Sequence, residues 1–97
     1  MGLYRTHQDY QEIREWENRL RALVESLSDR LEAAQREDAL EFLAHGESGL
    51  LIEFLSYCVG EYGHPLADAE RTELLAVATA SGEQVRARVA RDLGEAS

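Results

Sequence analysis

From about His7 to Leu31 the apolar residues Ile13, Trp16, Leu20, Leu23, Leu27 and Leu31 succeed one another in steps of three and four, with Val24 beside Leu23. A helix of 3.6 residues per turn gathers that spacing into one stripe, whereas a strand would scatter it over two faces. The single proline of the chain and its few β-branched residues point the same way. Glu15–Arg19 and Glu17–Arg21 add pairs four residues apart on the outer side. Thr6 is the expected N-cap, with Asp9 three residues on. Ser28 and Asp29 compete for backbone hydrogen bonds, so the helix is expected to end or bend there.

Glycine, proline and capping residues divide the remainder of the chain. A second helix is expected from Glu32 or Ala34 to Ala44, with Leu40 and Leu43 inward and Phe42 at an edge. It stops at Gly46, which can take the left-handed conformation that closes a helix. Ser48 is then placed to cap a third helix, Gly49 to Tyr62, ended by Gly63 and Pro65. This segment is apolar around most of its girth: Leu51, Leu55, Cys58, Val59 and Tyr62 on one side, Leu50, Phe54 and Tyr57 on another. A helix of that kind sits between neighbours, or else half its girth is an interface.

Asp68 opens a fourth helix, with Glu70 favouring the helix dipole and Leu74, Leu75 and Ala78 inward, up to Ser81-Gly82. A fifth, Glu83 to Leu93, carries only the thin stripe Val85, Val89 and Leu93. Short loops make consecutive helices antiparallel or steeply crossed neighbours, so the fold expected for residues 1–97 is one all-α domain, a bundle of four to five helices. An ordinary compact domain of this length has a radius of gyration of about 12–13 Å, and its 44% of apolar residues is enough to build a core.

The charge is unevenly placed. Residues 32–70 hold nine acids and one base, Arg36, and so carry −8 of the net −9, while both flanks nearly cancel. A local negative field of this kind steers basic surfaces into contact and repels phosphate backbones, which argues against nucleic-acid binding.

Chemistry beyond binding finds little support. Cys58 is alone, so there is no intramolecular disulfide and no two-thiolate zinc site, and a reducing, cytoplasmic setting is expected. Within an apolar helical face its thiol reads as a small hydrophobe and not a nucleophile. His45, Glu47, Cys58 and His64 match no metal spacing, and Gly46, Gly49 and Gly60 form no phosphate loop. Glu37, Asp38 and Glu41 are carboxylates on an amphipathic helix, where solvation is their ordinary role. Neither cofactor nor metal is expected, nor an enzyme, and no segment is apolar enough for a membrane span.

One stretch, Ala39-Leu40-Glu41-Phe42-Leu43-Ala44-His45-Gly46-Glu47-Ser48-Gly49-Leu50-Leu51-Ile52-Glu53-Phe54-Leu55, resembles the MafI-type immunity proteins of bacterial polymorphic toxin systems. In them a helix ends in His-Gly-Glu, then a small residue or proline, then Gly and an apolar run containing Glu. The likeness continues through Glu61-Tyr62-Gly63-His64-Pro65-Leu66 and covers roughly residues 38–78. Ile52 stands where that pattern has alanine, and Gly63 where it has an acid. The resemblance implies a cytoplasmic antitoxin that binds and neutralises the C-terminal toxin domain of a secreted or surface protein, often a nuclease. An acidic inhibitor suits such a partner, because a nuclease presents basic groups to phosphate. The contact candidates are Glu41, Glu47, Glu53, Tyr57, Glu61 and Tyr62. Each also has a plain structural alternative: Glu47 at a helix N-terminus, Glu53 and Glu61 as partners of arginines, the tyrosines as core. The competing function is an acidic helical adaptor or homo-oligomeric module, a homodimer for instance, built on the Trp16 face.

Overall fold

A computed structural model describes residues 7–62 and 66–94, with side chains over 10–61 and 66–94. Five α-helices succeed one another along the chain, and no strand occurs among the described residues. They are α1 (His7–Leu27), α2 (Ala33–Ala44), α3 (Ser48–Tyr62), α4 (Asp68–Ala80) and α5 (Glu83–Asp92). The expected cap at Thr6, the Gly63–Pro65 turn with His64, and the side chains of Asp9 and Tyr62 lie outside what the structure describes.

The weak point expected at Ser28-Asp29 is where α1 gives way to a 3-10 turn, Ser28–Arg30. Ser28 Oγ donates to the Glu25 carbonyl at 2.8 Å, the local competition that draws the backbone out of α-helical register. α2 ends in a Schellman motif: the amide of Glu47 donates to the Phe42 carbonyl (3.0 Å) and that of Gly46 to the Leu43 carbonyl (3.1 Å). Gly46 sits at φ +69°, where a side chain would be strained. The Glu47 carbonyl accepts the first hydrogen bond of α3, from Leu51 at 2.9 Å. Glu47 and not Ser48 therefore stands at the N-cap position, whereas α4 opens at Asp68 as expected, with Ala67 before it.

The core consists of Leu20, Leu23, Val24 and Leu27 from α1, Ala39 and Leu43 from α2, Leu51, Ile52, Leu55 and Val59 from α3, Leu74, Val77 and Ala78 from α4, and Val89 from α5. Trp16, Phe42, Phe54 and Leu75 pack against it from partly exposed positions. Leu40, expected inward, is 37% exposed, and Ala39 takes the inward place. Cys58 is buried as expected, and burial, with Asp38 and Glu32 adding to it, pushes its thiol up to about 11. That keeps it protonated and unreactive.

The radius of gyration is 14.0 Å, above that of an ordinary compact domain of this length. α1, 21 residues and so about 31 Å long, is a cause, because its first turns outrun the bundle. Tyr10 and Ile13 on its apolar stripe are 59% and 37% exposed.

Arg19 does not turn to Glu15 as the local spacing suggested. It forms a bidentate pair with Glu73 on α4, at 2.6 and 3.0 Å, and lies over the Trp16 ring, 5.9 Å from its centroid. Glu70 draws four donors together: two guanidinium nitrogens of Arg30, the Ser26 hydroxyl (2.7 Å) and the Ala67 amide (3.0 Å). One carboxylate thus joins the end of α1 to the start of α4. It stands in the first turn of α4, as expected from sequence, and serves as a tertiary tie as well.

α5 lies parallel to α3 along a stripe of small residues. Val85 touches the position where Gly49 lacks a side chain, Asp92 accepts a hydrogen bond from Ser56 Oγ at 3.0 Å, and the Asp92 backbone crosses Gly60. A Cβ on Gly60 would stand 2.6 Å from the Asp92 carbonyl oxygen. Within an exposed helix, Gly→Ala ordinarily stabilises by about 0.5–1 kcal/mol. At Gly60 the sign should reverse: Gly60→Ala must push backbone against backbone and should cost about 1–3 kcal/mol, the range of overpacking. Chemical denaturation reads this directly, and a stabilised variant would show that α5 is not seated on Gly60.

Candidate protein-binding face on the second and third helices

Three sides of α3 are covered. Leu51, Ile52, Leu55, Cys58 and Val59 are buried in the bundle, and Ser56, buried, with Gly49 and the exposed Gly60 faces α5. What is left is an arc of about 100° at 100° per residue, holding in angular order Glu53, Tyr57, Leu50, Glu61 and Phe54. On this arc Leu50 is 53% and Tyr57 56% exposed, high values for apolar side chains on the central helix of a core.

At the α2 edge of the arc Phe54 meets Phe42, their ring centroids 5.5 Å apart and tilted by 58°, a favoured aromatic geometry. Beyond Phe42 lies an open depression of about 410 Å³ lined by Asp38, Glu41, Phe42, His45 and Glu47. The first four of these recur at helical spacing on one side of α2, and the Schellman turn swings Glu47 round to close the end. The floor is aromatic and most of the rim is carboxylate.

At the other edge Glu53 approaches Arg88 of α5, Oε1 to Nε at 3.9 Å. The face is therefore electrically lopsided. Acids stand uncovered along α2, while the α5 side is balanced by an arginine. Of the nine acids in residues 32–70, Glu70 is consumed in its tie to Arg30 and Glu53 faces Arg88. Glu32, Glu37, Asp38, Glu41, Glu47, Glu61 and Asp68 remain exposed, so most of the negative field survives folding.

The six contact candidates divide accordingly. Glu41 and Glu47 line the depression, while Tyr57 and Glu61 stand exposed on the arc. Glu53 lies at its border, half-buried and turned toward Arg88; Glu47 also sits at the N-terminus of α3, where the helix dipole favours its charge. The spacing already groups Leu50 and Phe54 with Tyr57 on one side of α3; Asp38, His45 and Phe42 join this face only in the folded chain. The signal was present in the repeats 38-41-42-45 and 50-54-57-61, each confined to one side of a helix.

Among the described residues no three metal-ligating side chains converge; Cys58 is buried while His45 is exposed. Nor is any helix there long and apolar enough to cross a membrane. An apolar centre with aromatic members and a charged rim is the anatomy of a protein–protein contact. The class defined by fold and face is thus a small all-α bundle with one amphiphilic, acid-rimmed surface. No protein-family model, curated protein or solved structure matches the chain.

Proposed function

We propose that this protein is an immunity protein, an antitoxin that neutralises the basic C-terminal toxin domain, of nuclease type, of a cognate polymorphic toxin. The observation that carries the reading is the outer arc of α3. Two apolar side chains, Leu50 and Tyr57, are more than half exposed there, and they adjoin a depression rimmed by Asp38, Glu41 and Glu47. A folded domain leaves such a patch open at a cost in hydration, and a partner that covers it relieves that cost. The acids select the partner's sign, since a nuclease surface is basic where it meets phosphate. The resemblance of residues 38–78 to the MafI-type proteins supports the same reading.

Glu41 and Glu61 are the residues to test, because both are exposed and neither holds the fold together; Glu53 faces Arg88 and Glu47 serves the dipole of α3. Glu41→Lys with Glu61→Lys should weaken toxin binding by about tenfold or more through like-charge contact while changing folding stability by less than about 0.5 kcal/mol per site. Cells producing the cognate toxin should lose protection although the purified variant melts normally. Full protection by the folded double variant would sink the reading.

A second reading, a homo-oligomeric module or adaptor, draws on one observation, the exposed Tyr10 and Ile13 at the free end of α1. Trp16, which that reading placed at its centre, packs partly against the core. Sedimentation of Ile13→Arg separates the two, since only an oligomer built on α1 changes mass.

A further inference from the structure

The exposed face of α2 and α3 has a grain. Leu50, Phe54 and Tyr57 recur at intervals of four and three, forming a ridge that runs with the axis of α3 for about 10 Å and reaches Glu61 at about 16 Å. The acids lie along one flank only, on α2, and the opposite flank carries Arg88. No strand edge is offered among the described residues, so an extended segment would find no backbone partners on which to add.

We propose that the element of the partner seated on this face is a basic amphipathic helix. Its apolar stripe lies along Leu50, Phe54 and Tyr57, and its arginine or lysine side chains reach over Phe42 into the depression bounded by Asp38, Glu41 and Glu47. This rests on the reading of the face as a toxin-binding surface and specifies what the toxin presents to it. Two helices packed side by side repeat at the same pitch, so apolar side chains spaced four and three apart on the partner meet the ridge over successive turns. The Phe42 ring at the floor of the depression offers a guanidinium an aromatic surface, and the carboxylates around it accept its hydrogen bonds. The lopsided charge fixes the direction of the guest helix, because a helix with bases along one flank meets the α2 acids in only one of its two orientations.

A labelled synthetic peptide tests this without the toxin. It has about 18 residues, long enough to hold a helix once docked, with leucine at every fourth and third position, arginine along one flank and alanine elsewhere. Fluorescence anisotropy should show saturable binding, and circular dichroism a gain of helix on mixing. Leu50→Ala with Tyr57→Ala, and separately Asp38→Lys with Glu41→Lys, should each weaken binding by about tenfold or more, and Glu25→Lys on α1 should leave it unchanged. A scrambled peptide of the same composition that bound equally well would overturn the proposal, as would binding without gain of helix. Normal melting of each variant keeps loss of folding apart from loss of contact. Should the peptide dock as a helix while Glu41→Lys with Glu61→Lys still protects cells, the immunity reading falls and the helix-binding face stands. Should protection fail in those cells while no helical peptide docks, the immunity reading stands and this inference falls.

Discussion

Leu55→Ala should destabilise the protein by about 2–5 kcal/mol, the range measured when a fully buried leucine is cut back within a packed core. Leu55 has no exposed surface and lies midway along α3, among the core residues that every helix contributes. The loss combines the transfer free energy of the removed methyl and methylene groups with a cavity that helices seated on several sides cannot readily collapse. Against a total of about 5–15 kcal/mol for a domain, this is a large fraction. In a chain of this size each kcal/mol lowers the melting temperature by about 4–8 °C. Urea denaturation should move the midpoint without changing the slope. A cost below about 1 kcal/mol would contradict the central placement of α3.

Glu70→Ala should rank next, at about 1.5–3 kcal/mol, because it takes away the main carboxylate partner of Arg30, which keeps Asp29 (3.2 Å) and the Ser26 carbonyl (2.9 Å), and removes the acceptor of the Ala67 amide and the Ser26 hydroxyl. Arg30 and Glu70 are mostly shielded, at 20% and 14% side-chain exposure, so the pair is not an ordinary surface ion pair. Its pH dependence has a definite sign. The Arg30 guanidinium, helped by Ser26 and Ala67, lowers the Glu70 carboxyl from 4.5 to about 2. A carboxyl depressed in the folded state contributes stability that is fully present above its unfolded value and is lost as pH falls through the folded one. The contribution should thus hold above about pH 4.5 and disappear as pH falls toward 2. Arg19 lowers Glu73 in the same direction, so the two ties between α1 and α4 weaken together in acid. The stability gap between wild type and Glu70→Gln, measured from neutral pH downward, should narrow through that window. A gap independent of pH would show that Arg30 and Glu70 are not paired in solution.

Local chemistry made much of this architecture legible. Gly46 closes α2 through a motif whose donors and acceptors lie within six residues, and the Ser28 hydroxyl needs only the Glu25 carbonyl to break α1. Features joining distant residues were not legible. Arg19 reaches Glu73 across 54 positions and Arg30 reaches Glu70 across 40, and helical spacing offered Arg19 a nearer partner, Glu15, that it did not take. Leu40 misled because apolar character was read as inward direction, while Ala39 at the helix contact was too small to be noticed. Spacing alone set Leu50, Phe54 and Tyr57 together on one side of α3. That this is the open side was not legible, because it depends on which side of α3 is covered by α5, whose thin stripe gave no direction. Gly49, Ser56 and Gly60 were the missing hint: small residues on one side of a helix mark where another backbone comes close.

That small-residue seat divides α3 into two halves under different rules. On one half α5 leaves little room, and at Gly60 an added carbon collides with the Asp92 backbone, so substitution there is resisted by the fold itself. On the other half Leu50, Tyr57 and Glu61 project into solvent, and their replacement leaves folding nearly untouched. A single helix thereby keeps the scaffold constant while its outward residues stay free to drift. Lineages descended from such a chain can change what this outer side presents by rewriting a handful of side chains, with no need to learn to fold again.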